Sequence, residues 1–173
     1  MKILIPLLLL AAGAAQAADR VERGRYLVNT GGCMDCHTAL KLGANGPEPD
    51  MARRLAGHPQ EFVITAPVAP PAGPWMAVIA NSGTAFSGPW GVSFAANLTP
   101  DDETGLGRWS EDDFLQTIRT GRHLGRGRQV LPPMPIPVYS QMTDEDLKAM
   151  FAYLKSLPAI RNKVPEPLAP VQR

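Results

Sequence analysis

Five consecutive residues, Cys33-Met34-Asp35-Cys36-His37, contain both cysteines of this 173-residue chain. Two thiols three positions apart, with an imidazole beside the second, can form two thioether links to a flat macrocycle and bind its central iron from the same side. The spacing therefore predicts one covalent heme c on Cys33 and Cys36, with His37 as an axial iron ligand. Other uses of these residues explain less of the chain. A thioredoxin-like dithiol accompanies a βαβ pattern, which this chain with its 18 prolines and 16 glycines lacks. A structural zinc site needs four ligands, and only His58 or His123 extends the set. A plain disulfide leaves His37 without a role.

An iron held by His37 on one face is open, capped by water, or capped by a second side chain on the other. That choice separates small-molecule chemistry from electron transfer. Seven methionines are available. Met1 falls in a leader described below, and Met34 lies inside the attachment motif, on the wrong side to cross the ring. Met142 and Met150 have helix-packing roles, which leaves Met51, Met76 and Met134, beside His58 and His123. Met134 stands in Leu131-Pro132-Pro133-Met134-Pro135-Ile136-Pro137. Prolines fix φ and remove backbone donors there, so the thioether is carried on a stiff strap that loses little entropy on binding iron. Met134 is the expected second ligand. A thioether opposite imidazole stabilises Fe(II), and a six-coordinate iron leaves no place for substrate.

Three helices must position these groups. Asp19 with Glu22 reads as a capping box for a helix over 20–30 that ends at Gly31-Gly32 and delivers the chain to Cys33. Ser110 caps a second helix whose first turn carries Glu111, Asp112 and Asp113, with Trp109 and Phe114 placed as a hydrophobic staple and Gly121 as the stop. Thr143 caps a third, with Met142 stapling onto Leu147, an apolar face of Leu147, Met150, Phe151 and Leu154, and Pro158 as its end. Between 41 and 96 prolines and glycines abound. One short hairpin candidate stands out there, 76–80 with 84–87 around Asn81-Ser82-Gly83. This stretch reads as a loop insertion laid over the cofactor. The Pro-rich residues 159–173 predict an extended, mobile tail.

Lys2, the apolar run 3–12 and Ala15-Gln16-Ala17 predict a cleaved export signal over 1–17, hence a periplasmic location, with no stable membrane insertion once it is removed. The domain is then 18–158. With Lys2 gone from the 17 basic residues, their number equals the 16 acidic ones, so no global bias toward nucleic acid or acidic membranes is expected. One local cluster stands out: Arg119, Arg122, His123, Arg126 and Arg128. It reads as cations favoured at a helix C-terminus, as arginines such as Arg122 and Arg126 pairing with heme propionates, or as a docking surface for an acidic redox partner.

The helix with Gly24, the Cys-Met-Asp-Cys-His motif, Met134-Pro135 and a last helix with Tyr153 resemble a monoheme class I c-type cytochrome over about 19–157. The resemblance implies a mainly α cytochrome c fold with helices around one covalent heme. Its first and last helices cross at right angles, and Gly24 allows close approach near Leu147 and Tyr153. Asn97-Leu98-Thr99-Pro100-Asp101, the run from Glu103 to Ser110, Arg119-Thr120-Gly121 and Pro133-Met134-Pro135 are similar to bacterial periplasmic cytochromes c and to cytochrome c subunits of dehydrogenases. That similarity implies that Asn97 and Trp109 reach a propionate. Those subunits carry several heme motifs and this chain carries one; 41–96 is also longer than in the smallest class I members. The backbone carbonyl that orients His37 is then expected near Pro47. The implied role is an electron carrier, not an enzyme by itself, between a dehydrogenase and an oxidase or reductase. The alternatives are a heme enzyme or gas sensor with a displaceable sixth ligand, and a fixed subunit of a dehydrogenase complex.

Overall fold

Leucine and alanine, the best helix formers, dominate the chain from residue 7 to 18, and helix α1 runs unbroken over Ile5–Thr30 in the computed structural model. The structure describes residues 5–70 and 73–170, with side chains from residue 16 onward. The expected start near 20 is therefore corrected. Nothing upstream interrupts the helix, so Asp19 lies inside it and caps nothing. Glu22 instead accepts from Arg25 Nε at 2.8 Å. The expected end holds, with the Gly31 amide donating to the Leu27 carbonyl at 2.8 Å. Among the described residues no helix is long and apolar enough to cross a membrane.

The other caps form as their sequences direct. Helix α3 (Glu111–Thr120) starts with a reciprocal box, Asp113 N–H to Ser110 Oγ at 3.1 Å and Ser110 N–H to Asp113 Oδ2 at 3.0 Å, and it closes at Gly121. These bonds satisfy amides that have no partner within the helix. Helix α5 (Asp144–Ser156) starts with Thr143 Oγ1 accepting from the Asp146 amide at 3.1 Å and ends where Leu157 turns extended before Pro158. Its buried face holds Leu147, Met150, Phe151 and Leu154.

These faces make one core. Val28 of α1, Leu55, Leu106, the Phe114, Leu115 and Ile118 stripe of α3, and the α5 face are buried together. The Phe114 and Phe151 rings lie 5.4 Å apart. Helices α1 and α5 approach closely at Gly24. A Cβ there would overlap the Ala149 carbonyl and sit 2.8 Å from Tyr153 Cβ. The resemblance anticipated this contact, though Ala149 rather than Leu147 is the nearest α5 neighbour with Tyr153.

The 41–96 stretch is more ordered than a loop layer. Strands β1 (Leu40–Gly43) and β2 (Gly46–Pro49) form an antiparallel hairpin closed by Ala44-Asn45. The expected hairpin appears as β3 (Val78–Ile79) against β4 (Ala85–Gly88), and β5 (Gly91–Phe94) extends it into a three-stranded sheet of order β3-β4-β5. The tail is extended but not free. Leu168 exchanges two backbone bonds with Val92 (2.9 and 3.0 Å), and Asn162 is fully buried. The prolines exclude helix but leave amides and carbonyls at other positions free to pair, and here they pair with the domain.

Candidate functional site

Helix α2 (Cys33–His37) is a single turn that follows α1 directly. Its end is fixed by Thr38, a buried residue whose amide donates to the Met34 carbonyl (3.0 Å) and whose Oγ1 accepts from the Leu55 amide (3.1 Å). The ring of His37 is set from a distant part of the chain: Nδ1 lies 2.8 Å from the Ala96 carbonyl oxygen. A carbonyl only accepts, so Nδ1 carries the proton and Nε2 keeps its lone pair, available to a metal. Burial holds the His37 pKa below its ordinary value, with the Ala96 bond opposing. The ring is thus neutral at neutral pH, as an iron ligand must be. The expectation of a carbonyl near Pro47 is corrected: Pro47 pairs with Leu42 in the β1–β2 hairpin, and Ala96 supplies the acceptor.

Cys33 and Cys36 are free thiols, half-buried on the same turn. Burial pushes the Cys33 thiol up to about 11, and burial followed by the Asp35 charge raises Cys36. Both are protonated at neutral pH. They are not joined as a disulfide, and among the described residues no group of three or more His, Cys, Asp or Glu converges to hold a metal ion.

The remaining ligand candidates separate by environment. Met134 is half-buried against the central core, on which Cys33 and Met34 also pack. The strap and the residues that follow it are held at three places. Ser93 Oγ donates to the Pro132 carbonyl. Tyr139, in the short helix α4 (Ile136–Tyr139), donates to the Gly31 carbonyl just before Cys33. Arg119 donates to the carbonyls of Ser140 and, at 2.7 Å, Met142. Met51 and Met76 are 56% and 68% exposed on the insertion. Met34 Sδ accepts from Arg54 Nε at 3.0 Å, and Met150 belongs to the core. His58 is fully buried with both nitrogens engaged, Nδ1 by Thr84 Oγ1 (2.9 Å) and Nε2 by the Phe62 carbonyl (2.8 Å). His123 is exposed and meets Trp109 edge-on, the ring centroids 5.0 Å apart.

The candidate propionate partners divide in the same way. Asn97 is buried, and its polar atoms serve the protein itself. Nδ2 donates to Thr104 Oγ1 (3.2 Å) and the Ile160 carbonyl (2.8 Å), and Oδ1 accepts from Thr99 N–H (2.9 Å) and Oγ1 (2.7 Å). These bonds account for Asn97 without a propionate. Trp109 packs against the core and meets the His123 ring edge-on. Arg122 and Arg126 are exposed, and among the described residues their guanidinium groups donate only to the Gly127 (3.1 Å) and Leu124 (3.3 Å) carbonyls of their own loop. Their neighbours are committed, Arg119 to Asp144 and Arg128 to Glu166 at 3.2 Å.

The family model for cytochrome c matches residues 21–158. The chain belongs to the cytochrome c family. It is 30% identical over 170 residues to the cytochrome c subunit of a quinone alcohol dehydrogenase from Gluconobacter oxydans, covering 94% of this chain and 28% of that protein. It is 31% identical over 159 residues to a gluconate 2-dehydrogenase cytochrome c subunit from Pantoea cypripedii (88% of this chain, 28% of that protein). A fructose dehydrogenase cytochrome subunit from Gluconobacter japonicus is 29% identical over 134 residues (78% and 20%). This c-type cytochrome thus spans under a third of the length of each.

The donor set of this cytochrome fits heme c. Cys33 and Cys36 present protonated thiols one helical turn apart, and the committed Nδ1 of His37 leaves Nε2 for the iron. Heme c, when bound, supplies reversible one-electron exchange at its iron. His37 contributes a fixed tautomer and orientation through Ala96. The half-buried apolar side chains on which Cys33 and Met134 pack would offer the group an apolar surface.

Proposed function

We propose that this cytochrome is exported to the periplasm and carries one covalent heme c, linked to Cys33 and Cys36 and ligated by His37 and Met134. It passes single electrons from a dehydrogenase toward a respiratory acceptor. The observation that carries the reading is the 2.8 Å contact of His37 Nδ1 with the Ala96 carbonyl, which dedicates the other ring nitrogen to a metal beside two free thiols. Met134 is favoured as second ligand because it is half-buried on a strap tied to the Cys33 turn, while Met51 and Met76 face solvent and both nitrogens of His58 are engaged.

The test is the absorption spectrum of the oxidised holoprotein in the far red, where a methionine-to-iron charge-transfer band is expected. Met134→Ala should abolish it. Retention of the band in that variant assigns the ligand elsewhere, and rapid carbon monoxide binding to the reduced protein without denaturant supports instead an enzyme or sensor with an open sixth position. Sequencing of the mature N-terminus tests the leader over 1–17.

A second reading is favoured by the comparisons. The relatives are named as subunits of dehydrogenases, and this chain corresponds to a fraction of each. In that reading the cytochrome is a fixed module of a dehydrogenase complex rather than a mobile carrier. Copurification of a large catalytic subunit decides for the complex; isolation as a free monomer with full electron-transfer competence decides for the carrier.

A further inference from the structure

The residues after Pro158 lie beyond the span that matches the family, yet they are bonded into the domain at the place that orients His37. Asn162 has no exposed surface. Its Nδ2 donates to the carbonyls of Ala56 (2.7 Å) and His58 (2.8 Å), and its Oδ1 accepts from Arg53 Nη2 (2.8 Å) and the Gln60 amide (3.0 Å). One side chain thereby gathers the loop 53–60. Two residues earlier the Ile160 carbonyl accepts from Asn97 Nδ2 (2.8 Å), and the Ile160 amide donates to Thr99 Oγ1 (3.1 Å).

Both attachments converge on Ala96. Within the gathered loop, the Gly57 amide donates to the His37 carbonyl (2.8 Å), the His58 amide to the Ala95 carbonyl (2.9 Å), and the Leu55 carbonyl accepts from the Leu98 amide (2.9 Å). Gly57 has φ +78°, and a Cβ on it would come within 2.6 Å of the Ala96 carbonyl carbon and oxygen, so the loop rests directly on that peptide. On the other side, Asn97 ties the next residue to Ile160. The Ala96 carbonyl that accepts from His37 Nδ1 is bracketed by two segments, each held by the tail.

We infer that the tail, through Asn162 and the Ile160 carbonyl, is a positioning strap that sets the strength of the Ala96–His37 hydrogen bond and thereby the electron donation of His37 to the iron. The inference rests on His37 as iron ligand, as proposed above. The physical link is short. A hydrogen bond weakens steeply with distance and misalignment, and a metal-bound imidazole is a better donor when its N–H is strongly bonded. A better donor favours Fe(III), so loosening Ala96 raises the reduction potential.

The experiment uses the full-length holoprotein with Asn162→Ala and Asn162→Leu, both of which remove the four side-chain bonds without adding charge. The control is Glu166→Ala, which releases only the tail's exposed ion pair with Arg128. At a fixed ambient potential the ratio of reduced to oxidised protein is expected to rise several-fold in the Asn162 variants, a tenfold rise corresponding to about 59 mV for one electron. The His37 Nδ1–H resonance should move toward the position of a weaker hydrogen bond, and the control should match the parent in both. Lower thermal stability with an unchanged ratio and an unchanged ring proton overturns the inference and leaves the tail a purely structural element. A His37 ring perturbed by the iron in the parent spectrum establishes the ligand independently, so failure of the strap is distinguishable from failure of the ligand assignment. If neither Asn162 variant yields holoprotein, hydrogen exchange in the parent decides. His37 Nδ1–H should exchange through the same opening as the Asn162 and Gln60 amides, and protection well beyond theirs refutes the coupling.

Discussion

Gly24→Ala tests the packing of the cytochrome core, because two local effects oppose each other there. On propensity alone, alanine in place of glycine inside α1 stabilises the helix by about 1 kcal/mol. The tertiary structure predicts the reverse. The new methyl would lie 2.8 Å from Tyr153 Cβ, where ordinary contact begins at 3.4 Å, and closer still to the Ala149 carbonyl, a backbone atom that cannot rotate away. Helices α1 and α5 must part by more than about 0.6 Å, loosening the packing of Val28, Leu147, Tyr153 and Leu154. Overpacking of this kind costs about 1–3 kcal/mol, and a rigid backbone obstacle places it at or above the upper end. After the propensity gain, a net loss of about 2 kcal/mol is expected, which for a chain of this size lowers Tm by roughly 4–8 °C. Thermal unfolding of the holoprotein followed by far-ultraviolet circular dichroism measures it. Arg23→Ala, one residue away, removes an ion pair to Asp146 and a contact over the Tyr26 ring, both at the surface, and should lower Tm far less. A neutral or stabilised Gly24→Ala protein refutes the close-contact argument.

Thr38→Val keeps the shape of the side chain but leaves the buried Leu55 amide without its acceptor, and the urea midpoint should report a loss of about 1–3 kcal/mol. Burial holds the His58 pKa below its ordinary value, with the Phe62 carbonyl and Glu61 opposing. The unfolded chain therefore binds the proton more readily. Stability from this group is complete above the unfolded value of about 6.5 and is lost as pH falls from there through the depressed native pKa. Urea titrations between pH 7.5 and 5 should show that slope, and His58→Gln should reduce it; an identical slope in the variant rejects the assignment. Replacing both Arg122 and Arg126 by Gln should leave stability within about 0.5 kcal/mol, since both are exposed and donate to carbonyls of their own loop. It should slow oxidation by an anionic complex such as ferricyanide several-fold at low ionic strength, the difference vanishing in high salt.

Much of the helical frame was legible because its signals are local. Ser110 with Asp113, Thr143 with its three following carboxylates, and the stops at Gly121 and Pro158 each act over one turn, and each formed where the sequence placed it. The start of α1 is not legible at Asp19, because a capping-box pattern has no force once the preceding Leu and Ala residues are themselves helical. The β1–β2 hairpin went unread although Asn45-Gly46 is a turn signal, its flanking residues being too short and too proline-rich to mark strands. Asn97 looked like a group facing the cofactor, yet its amide is occupied by Thr99, Thr104 and Ile160. That depends on a tail segment more than sixty residues away.

The sequence by itself determined the chemistry of attachment. Two thiols and an imidazole within five residues, and a thioether among prolines, are side-chain identities that no folding can supply or remove. The tertiary structure decided how His37 is held. Its acceptor is a backbone carbonyl 59 residues away, and every residue carries one, so nothing in the sequence of Ala96 marks it. The buried pairing of Asn162 with the 53–60 loop is equally invisible, because an asparagine in a proline-rich tail reads as solvated until packing removes the water. Reactive groups are written residue by residue, whereas a hydrogen bond to the backbone belongs to whichever segments the core brings together.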